Sequence, residues 1–287
     1  MLAMSIRTAG ALVLVLGAAP VLAQSVASEA ATDQPDPVEA IYEALLLPQV
    51  IDLMAEEGRE YGETLAESLF GGGTTPAEWS EAVATVYDEN HLADQVLDSL
   101  ATGLEGQDTS AMLAFLESEN GRRVSKLEVD ARTAMLDDDV EQQAKEAAAV
   151  AIAEGSPRID LLRRYAETND LVDTNVAGAM NANVAYFLGL MDGGALNSDM
   201  TEDDILSGVW AQEAQIRADT TEWVYSFLLK AYEPASDEDI QAYLEFSETE
   251  PGRALNRAVF DAFDQRLVDV SRKLGLVAAR YLTTAQL

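Results

Sequence analysis

Asp108–Arg132 reads DTSAMLAFLESENGRRVSKLEVDAR, and Asp239–Phe263 reads DIQAYLEFSETEPGRALNRAVFDAF. Set side by side without a gap, at an offset of 131 residues, they share ten identities in 25 positions. Ordinary amino-acid usage would supply roughly one or two. Trp79 and Trp210 fall at the same offset. A repeat of this length predicts a chain built twice from one unit, and it organises the reading of everything around it.

Outward from the repeat, the apolar spacing is helical almost everywhere from Val38 onward. Runs with period-two alternation are absent, so no sheet is expected. Thr75-Pro76-Ala77-Glu78 has the chemistry of a helix start. Trp79, Val83, Val86, Asn90, Ala93, Leu97 and Leu100 then predict one long helix with a buried stripe and a polar interruption at Asn90. Its counterpart begins near Thr201-Glu202-Asp203-Asp204, with Val209, Ile216 and Trp223 seven apart. Ser236-Asp237-Glu238-Asp239 is a strong cap for the short helix of the second copy. Asn120-Gly121 and Glu250-Pro251-Gly252 are expected to end the short helices. A last helix then runs to about Ala153 or Tyr281, with Leu255, Val259, Phe263, Leu267, Val270, Leu274, Val277 and Tyr281 as the stripe of the second copy.

Upstream lie Val38–Phe70, divided by Pro48, and Ile159–Met191. They run into Gly71-Gly72-Gly73 and Asp192-Gly193-Gly194, read as helix stops. Gly155-Ser156-Pro157 marks the boundary between halves. The expectation is an all-α, internally duplicated helical bundle, with residues 38–154 and 155–287 as the two repeats and about five helices in each.

The first 37 residues read differently. Arg7 precedes a short apolar run, Ala9–Leu22, and Val21-Leu22-Ala23 suits cleavage before Gln24. Residues 1–23 are therefore expected to be a signal peptide, with a soluble protein released into a periplasm. Gln24–Pro37 is small, polar and punctuated by proline, the composition of a disordered leader. No Cys follows the cleavage site to carry a lipid anchor, and no disulfide can form because the chain has no Cys. Elsewhere no segment is apolar enough to span a membrane.

The chain carries 51 acidic and 18 basic residues, a net charge of −33. Phosphate backbones would be repelled, so nucleic-acid binding is disfavoured. Anionic membrane surfaces are disfavoured for the same reason.

The segments around Phe115–Arg122 and Phe246–Arg253 resemble the DUF2059 family of secreted bacterial proteins. The family stretch reads as an aromatic residue, a Ser/Glu-Ser-Pro-Gly turn, then Arg or Lys opening a helix. The matching runs here are FLESENGRR and FSETEPGRA, each with Asp-Ala beginning eight residues after the first Arg. The first copy departs from the pattern at Asn120, where Pro is preferred. The family is one of unknown function, so the resemblance implies an all-helical envelope domain and no reaction.

Candidate site residues follow from the repeat. Arg122 and Arg253 each open a helix, where the helix dipole disfavours a cation. A carboxylate partner across the helix break, from Glu117/Glu248 or Glu119/Glu250, would offset this and fix the angle at Gly121 and Gly252. The functional rival is an Arg pair gripping an anionic ligand. Trp79, Trp210 and Trp223 sit on apolar stripes as core anchors or, on an exposed groove, as stacking surfaces. His91, flanked by Asp88 and Asp94, is the single histidine and reads as a rim residue in an ion pair. One His and no Cys leave no zinc site of the usual kind. Asp137-Asp138-Asp139 with Glu141 lacks the alternation and glycine of a calcium loop and reads as a solvated face. No Ser-His-Asp order, thiol nucleophile or phosphate loop is present. No cofactor is expected. These residues predict an exported helical protein that binds an envelope protein, peptide or lipid, or supports the envelope, without catalysis. A carboxylate-dependent hydrolase and a low-affinity cation binder are the alternatives.

Overall fold

The computed structural model describes residues 36–71, 73, 75–197 and 199–284. The expected signal peptide and nearly all of the expected leader lie outside these residues. Asp36 and Pro37, assigned above to the leader, instead open the first helix. The Asp36 carboxylate accepts from the Val38 amide at 2.8 Å, and Pro37 takes the position whose missing N–H costs nothing.

Every regular element among the described residues is helical. The first half holds α1 (Pro37–Ala44), α2 (Leu47–Phe70), α3 (Ala77–Val86), α4 (Glu89–Gly103), α5 (Thr109–Leu116), α6 (Glu119–Ala134) and α7 (Asp138–Glu154). The second holds α8 (Pro157–Thr168), α9 (Leu171–Asp192), α10 (Glu202–Trp210), α11 (Glu213–Ala231), α12 (Asp237–Ser247) and α13 (Glu250–Thr284). An all-α bundle is what the periodicity predicts, but the halves are cut into more pieces than expected.

The extra cuts have local causes. The stripe from Trp79 to Leu100 is two helices. Asp88 leaves the helical conformation and its carboxylate accepts from the His91 amide at 2.8 Å, starting α4 afresh. The break resets the buried face to Leu92, Val96 and Leu100, and Asn90 falls outside it. Asp137 does the same between α6 and α7, capping Asp139 and Val140. The aspartate run is thus a helix start. Thr201 and Ser236 make capping boxes with Asp204 and Asp239. By contrast, Pro76, not Thr75, is the residue before α3, and it offers no side-chain cap.

Asn120-Gly121 and Pro251-Gly252 do not end the short helices. They lie in the first turn of α6 and α13. Ser118 caps the Gly121 amide at 3.0 Å, and Thr249 caps the Gly252 amide at 3.1 Å. Both glycines have ordinary helical φ, and their small size is what matters. A Cβ at Gly121 would overlap the carbonyl oxygen of Phe115, and one at Gly252 that of Phe246. The preceding helix therefore crosses the new one in backbone contact. Two non-glycine residues take left-handed φ, Leu46 at 56° and Asp170 at 51°. They occupy matching places, between α1 and α2 and between α8 and α9, and each is followed by a fully buried Leu.

One continuous core draws residues from both halves, and a small satellite of Val176, Ala179, Met180, Val209 and Ile216 lies under α10. The long C-terminal stretches of the two halves do not pair extensively with each other. Instead each packs on the other half's fourth element: α13 lies against α4, while α11 lies against α6 and α7. At the centre Phe115 stacks on Phe246, with ring centroids 5.0 Å apart. Arginines tie the joint from outside. Arg123 does so across the halves, donating to Asp239 at 3.0 Å and to the Pro234 carbonyl at 2.6 Å, while Arg158 braces the same loop from within the second half through the Ala235 carbonyl at 2.6 Å.

The most extensive pairing is α9 with α13. Gly178 faces Asp264, Gly189 faces Gly275 and Gly193 faces Ala279, a constant separation of 86 residues. Paired positions that rise together mean that the two helices run parallel and in register. A Cβ at Gly189 would overlap the Arg272 carbonyl oxygen, and one at Gly275 that of Tyr186. Gly193, read above as a stop, does end α9, but it also leaves room for Ala279.

Glycine substitutions separate packing from propensity. Gly189→Ala and Gly252→Ala are expected to cost about 2–4 kcal/mol each, because backbone must move. Gly208→Ala, on α10 with open space around it, is expected to stabilise by about 0.5–1 kcal/mol. Urea midpoints measured on the three variants check this, and equal effects would remove the backbone-contact account.

Candidate functional site

The repeat-derived residues disperse. Glu117 and Glu248 are exposed and follow α5 and α12 as C-caps. The Arg253 guanidinium reaches across the helix break as expected, but it donates to the Glu248 backbone carbonyl, not to a carboxylate. The end of α12 has free carbonyls with negative partial charge, which satisfy a cation without a side-chain partner. Arg122 is exposed and makes no ion pair among the described residues. The two arginines therefore form no anion grip, and Arg123 beside Arg122 is the one that bridges the halves.

The tryptophans part as well. Trp79 is 1% exposed, donates to the Gly62 carbonyl at 3.0 Å and meets Phe70 and Tyr281 edge-on. Trp210 is 65% exposed at the end of α10, so it anchors nothing. Trp223 is half-buried and stacks on Phe227 at 5.1 Å. His91 is exposed, and Asp88 meets its backbone amide. Among the described residues no group of acidic or imidazole side chains is placed to hold a metal ion.

Two other polar constellations are brought together instead. The first is Glu128 on α6, buried among the second half's aromatics. The Tyr232 hydroxyl donates to its Oε1, and Tyr243 does so at 3.2 Å. Tyr165 packs against both rings, with centroids 6.0 and 5.5 Å away. Burial drives Glu128 well above the usual carboxylate range, and the two phenol donors only partly oppose it. The same burial, with Glu128 beneath, drives the three phenols up. A buried carboxyl donated to by two tyrosines is a structural lock between α6, α11 and α12. No opening reaches it in the pocket described next.

The second constellation lines a small, open pocket with a cavity volume of about 60 Å³. The pocket lies along the α9–α13 seam and is closed by α2, the end of α6 and Tyr87. Phe260, Phe263, Leu267 and Val270 come from one face of α13, and Met54 from α2. The polar side is Glu57, Arg132, Thr174, Asn175 and Asp264. Arg132 donates to both Glu57 oxygens, at 2.6 and 3.2 Å, in a two-pronged pair. The Arg132 side chain is 7% exposed and that of Glu57 20%, so this pair is more than a surface bridge. Asp264 is half-buried. Its Oδ2 accepts a long bond from Asn181 at 3.4 Å, and its Oδ1 is screened from water with no donor. Burial pushes Asp264 above the usual range; the Asn181 amide offsets this in part, and the Asp261 charge adds to it.

Reasoning from the repeat missed these groups because their partners lie far off in the chain. Glu128 had a signal: it falls four residues after Val124 on an otherwise buried face of α6. Asp264 had the same signal, falling four residues after Phe260 and three before Leu267 on one face of α13.

No family model, curated protein or solved structure matches this chain.

The lock makes a pH prediction. Because folding raises the pKa of Glu128, the protein takes up a proton that the unfolded chain gives up above about 4.5. Stability linked to this group is complete below that pH and is lost as pH climbs through the folded-state value. Glu128→Gln keeps a carbonyl acceptor and removes the proton. Its urea midpoint is expected to gain on the wild type as pH rises from 5 to 8, at up to about 1.4 kcal/mol per pH unit. Parallel curves for the two proteins would show that Glu128 is not held neutral.

Proposed function

We propose that this chain is an exported, periplasmic binding module without catalysis, and that it holds its ligand in the pocket along the α9–α13 seam. The observation that carries this reading is the lining itself, an aromatic and aliphatic wall from α13 facing a polar wall from α2, α6 and α9. Such a surface suits a ligand with an apolar body and one polar end. The hydrolase alternative needs an acid and a base acting on one bond. Glu57 is committed to Arg132, which leaves Asp264 without a second free carboxyl beside it in the pocket. Export rests on the charge-then-apolar pattern at the N-terminus and on the absence, among the described residues, of any helix long and apolar enough to cross a membrane.

Tandem duplication of a unit resembling the DUF2059 family remains part of the proposal. It is supported by the left-handed Leu46 and Asp170 at matching junctions, by the paired contacts of Gly121 and Gly252, and by the reciprocal packing of α4 and α11. The tryptophans at offset 131 do not support it, because one is buried and the other exposed.

A neutral apolar dye, N-phenyl-1-naphthylamine, tests the pocket. Saturable fluorescence enhancement is expected. Leu267→Trp, at a half-buried position in the wall, fills the space and is expected to weaken binding at least tenfold. Trp210→Ala, at the most exposed large apolar residue described, is expected to leave it unchanged. The opposite pattern would move dye binding to the surface and discard the pocket.

A further inference from the structure

We infer that the pocket takes a primary ammonium ion carrying a compact apolar body, with the Asp264 carboxylate as its counter-ion. This deepens the binding reading above and depends on it. Three observations converge on a cation. First, the charged groups of the lining are Glu57, Arg132 and Asp264. Glu57 and Arg132 cancel through their paired hydrogen bonds, so the lining keeps the one negative charge of Asp264. Second, the Asp264 Oδ1 has no donor from the protein and is shut off from water. A carboxylate oxygen in that position lacks a hydrogen-bond partner. Asp264 lines the pocket, so rotation of its carboxyl is the movement that binding requires for this oxygen to meet a ligand. Third, the nearby polar side chain of Asn175 spends its amide on the Leu171 carbonyl at 2.6 Å and keeps its oxygen as an acceptor.

The need for hydrogen-bond donors separates a primary ammonium from a quaternary one. An N–H-bearing cation can donate to Asp264 and Asn175 together, whereas a fully alkylated nitrogen can donate to neither. The apolar body then lies on Phe260, Phe263 and Leu267. An anionic ligand would meet the free charge of Asp264 and would have to compete with Glu57 for Arg132. Outside the pocket, the net charge of −33 raises the local concentration of cations at its mouth. Gly178 completes the wall: a Cβ there would stand 3.1 Å from Asp264 Oδ1, so glycine leaves the carboxyl its room.

Isothermal titration of the purified protein at pH 7.5 with 2-phenylethylamine and with 2-phenylethanol, its neutral isostere, tests the inference. The amine is expected to bind at least tenfold more tightly than the alcohol. Asp264→Asn is expected to cut amine affinity at least tenfold while alcohol affinity stays within twofold. Gly178→Ala, which suits a helix and keeps the charge, provides a second variant and is expected to weaken the amine selectively by threefold or more. Equal affinities for amine and alcohol, or equal losses of both in Asp264→Asn, overturn the cation. So does dye binding that is blocked by Leu267→Trp but not displaced by the amine, and in that case the pocket stands. Absence of saturable binding by amine, alcohol and dye alike overturns the pocket and the cation together.

Discussion

Backbone contact between α9 and α13 is the constraint on which the other arrangements rest. Two parallel helices cannot approach this closely unless side chains are absent at the crossing, and Gly189 and Gly275 supply that absence. With the pair fixed, α13 runs through the centre of the molecule for 35 residues. Its other faces are then free for α3, α4 and α5 of the first half. The pocket is a by-product of the same seam. Toward Gly178 the helices separate enough to admit the Asp264 carboxyl, and Phe260, Phe263 and Leu267 line the resulting space.

The acidic excess is managed by position. Asp36, Asp88, Asp108 and Asp137 cap helix starts, and Asp204 and Asp239 complete capping boxes. Each satisfies backbone amides at the positive end of a helix, where a carboxylate is favoured. Where acid goes inside, it is paired with a cation or held by phenol donors. Glu57 is held by Arg132, and Glu128 lies under Tyr232 and Tyr243. Asp264 is the departure: one of its oxygens stays unmatched in a pocket wall. A chain so rich in carboxylates has many places to put one in water, and this placement is why Asp264 attracts a functional reading.

How much was legible depended on range. Helical periodicity identified an all-α chain because each amphipathic stripe is a local property. It failed at Asp88 and Asp137, where aspartate fitted the expected face yet broke the helix by capping the next one. Asn120-Gly121 was read as a stop for glycine's φ freedom and Pro251-Gly252 for proline's missing amide, whereas both glycines are there to clear a neighbouring carbonyl oxygen. Trp210 continued the stripe pattern by spacing, but α10 ends at that residue, and the side chain leaves the core. The pocket was illegible. Glu57 and Arg132 stand 75 residues apart, and nothing local to either names the other. Only the crossing of α2, α6, α9 and α13 brings them to one place.

The glycine seam also governs how such a sequence can drift. Val150, Ile152, Leu206 and Trp210 project outward, and their replacement asks nothing of a neighbour. At Gly189 and Gly275 each tolerates no enlargement unless the other helix slides, and a slide would carry Asp264 and Phe263 with it. Descendants of this gene can therefore rewrite most of their acidic skin while inheriting these two positions unchanged, and a lineage that lost either would lose the register that shapes the pocket.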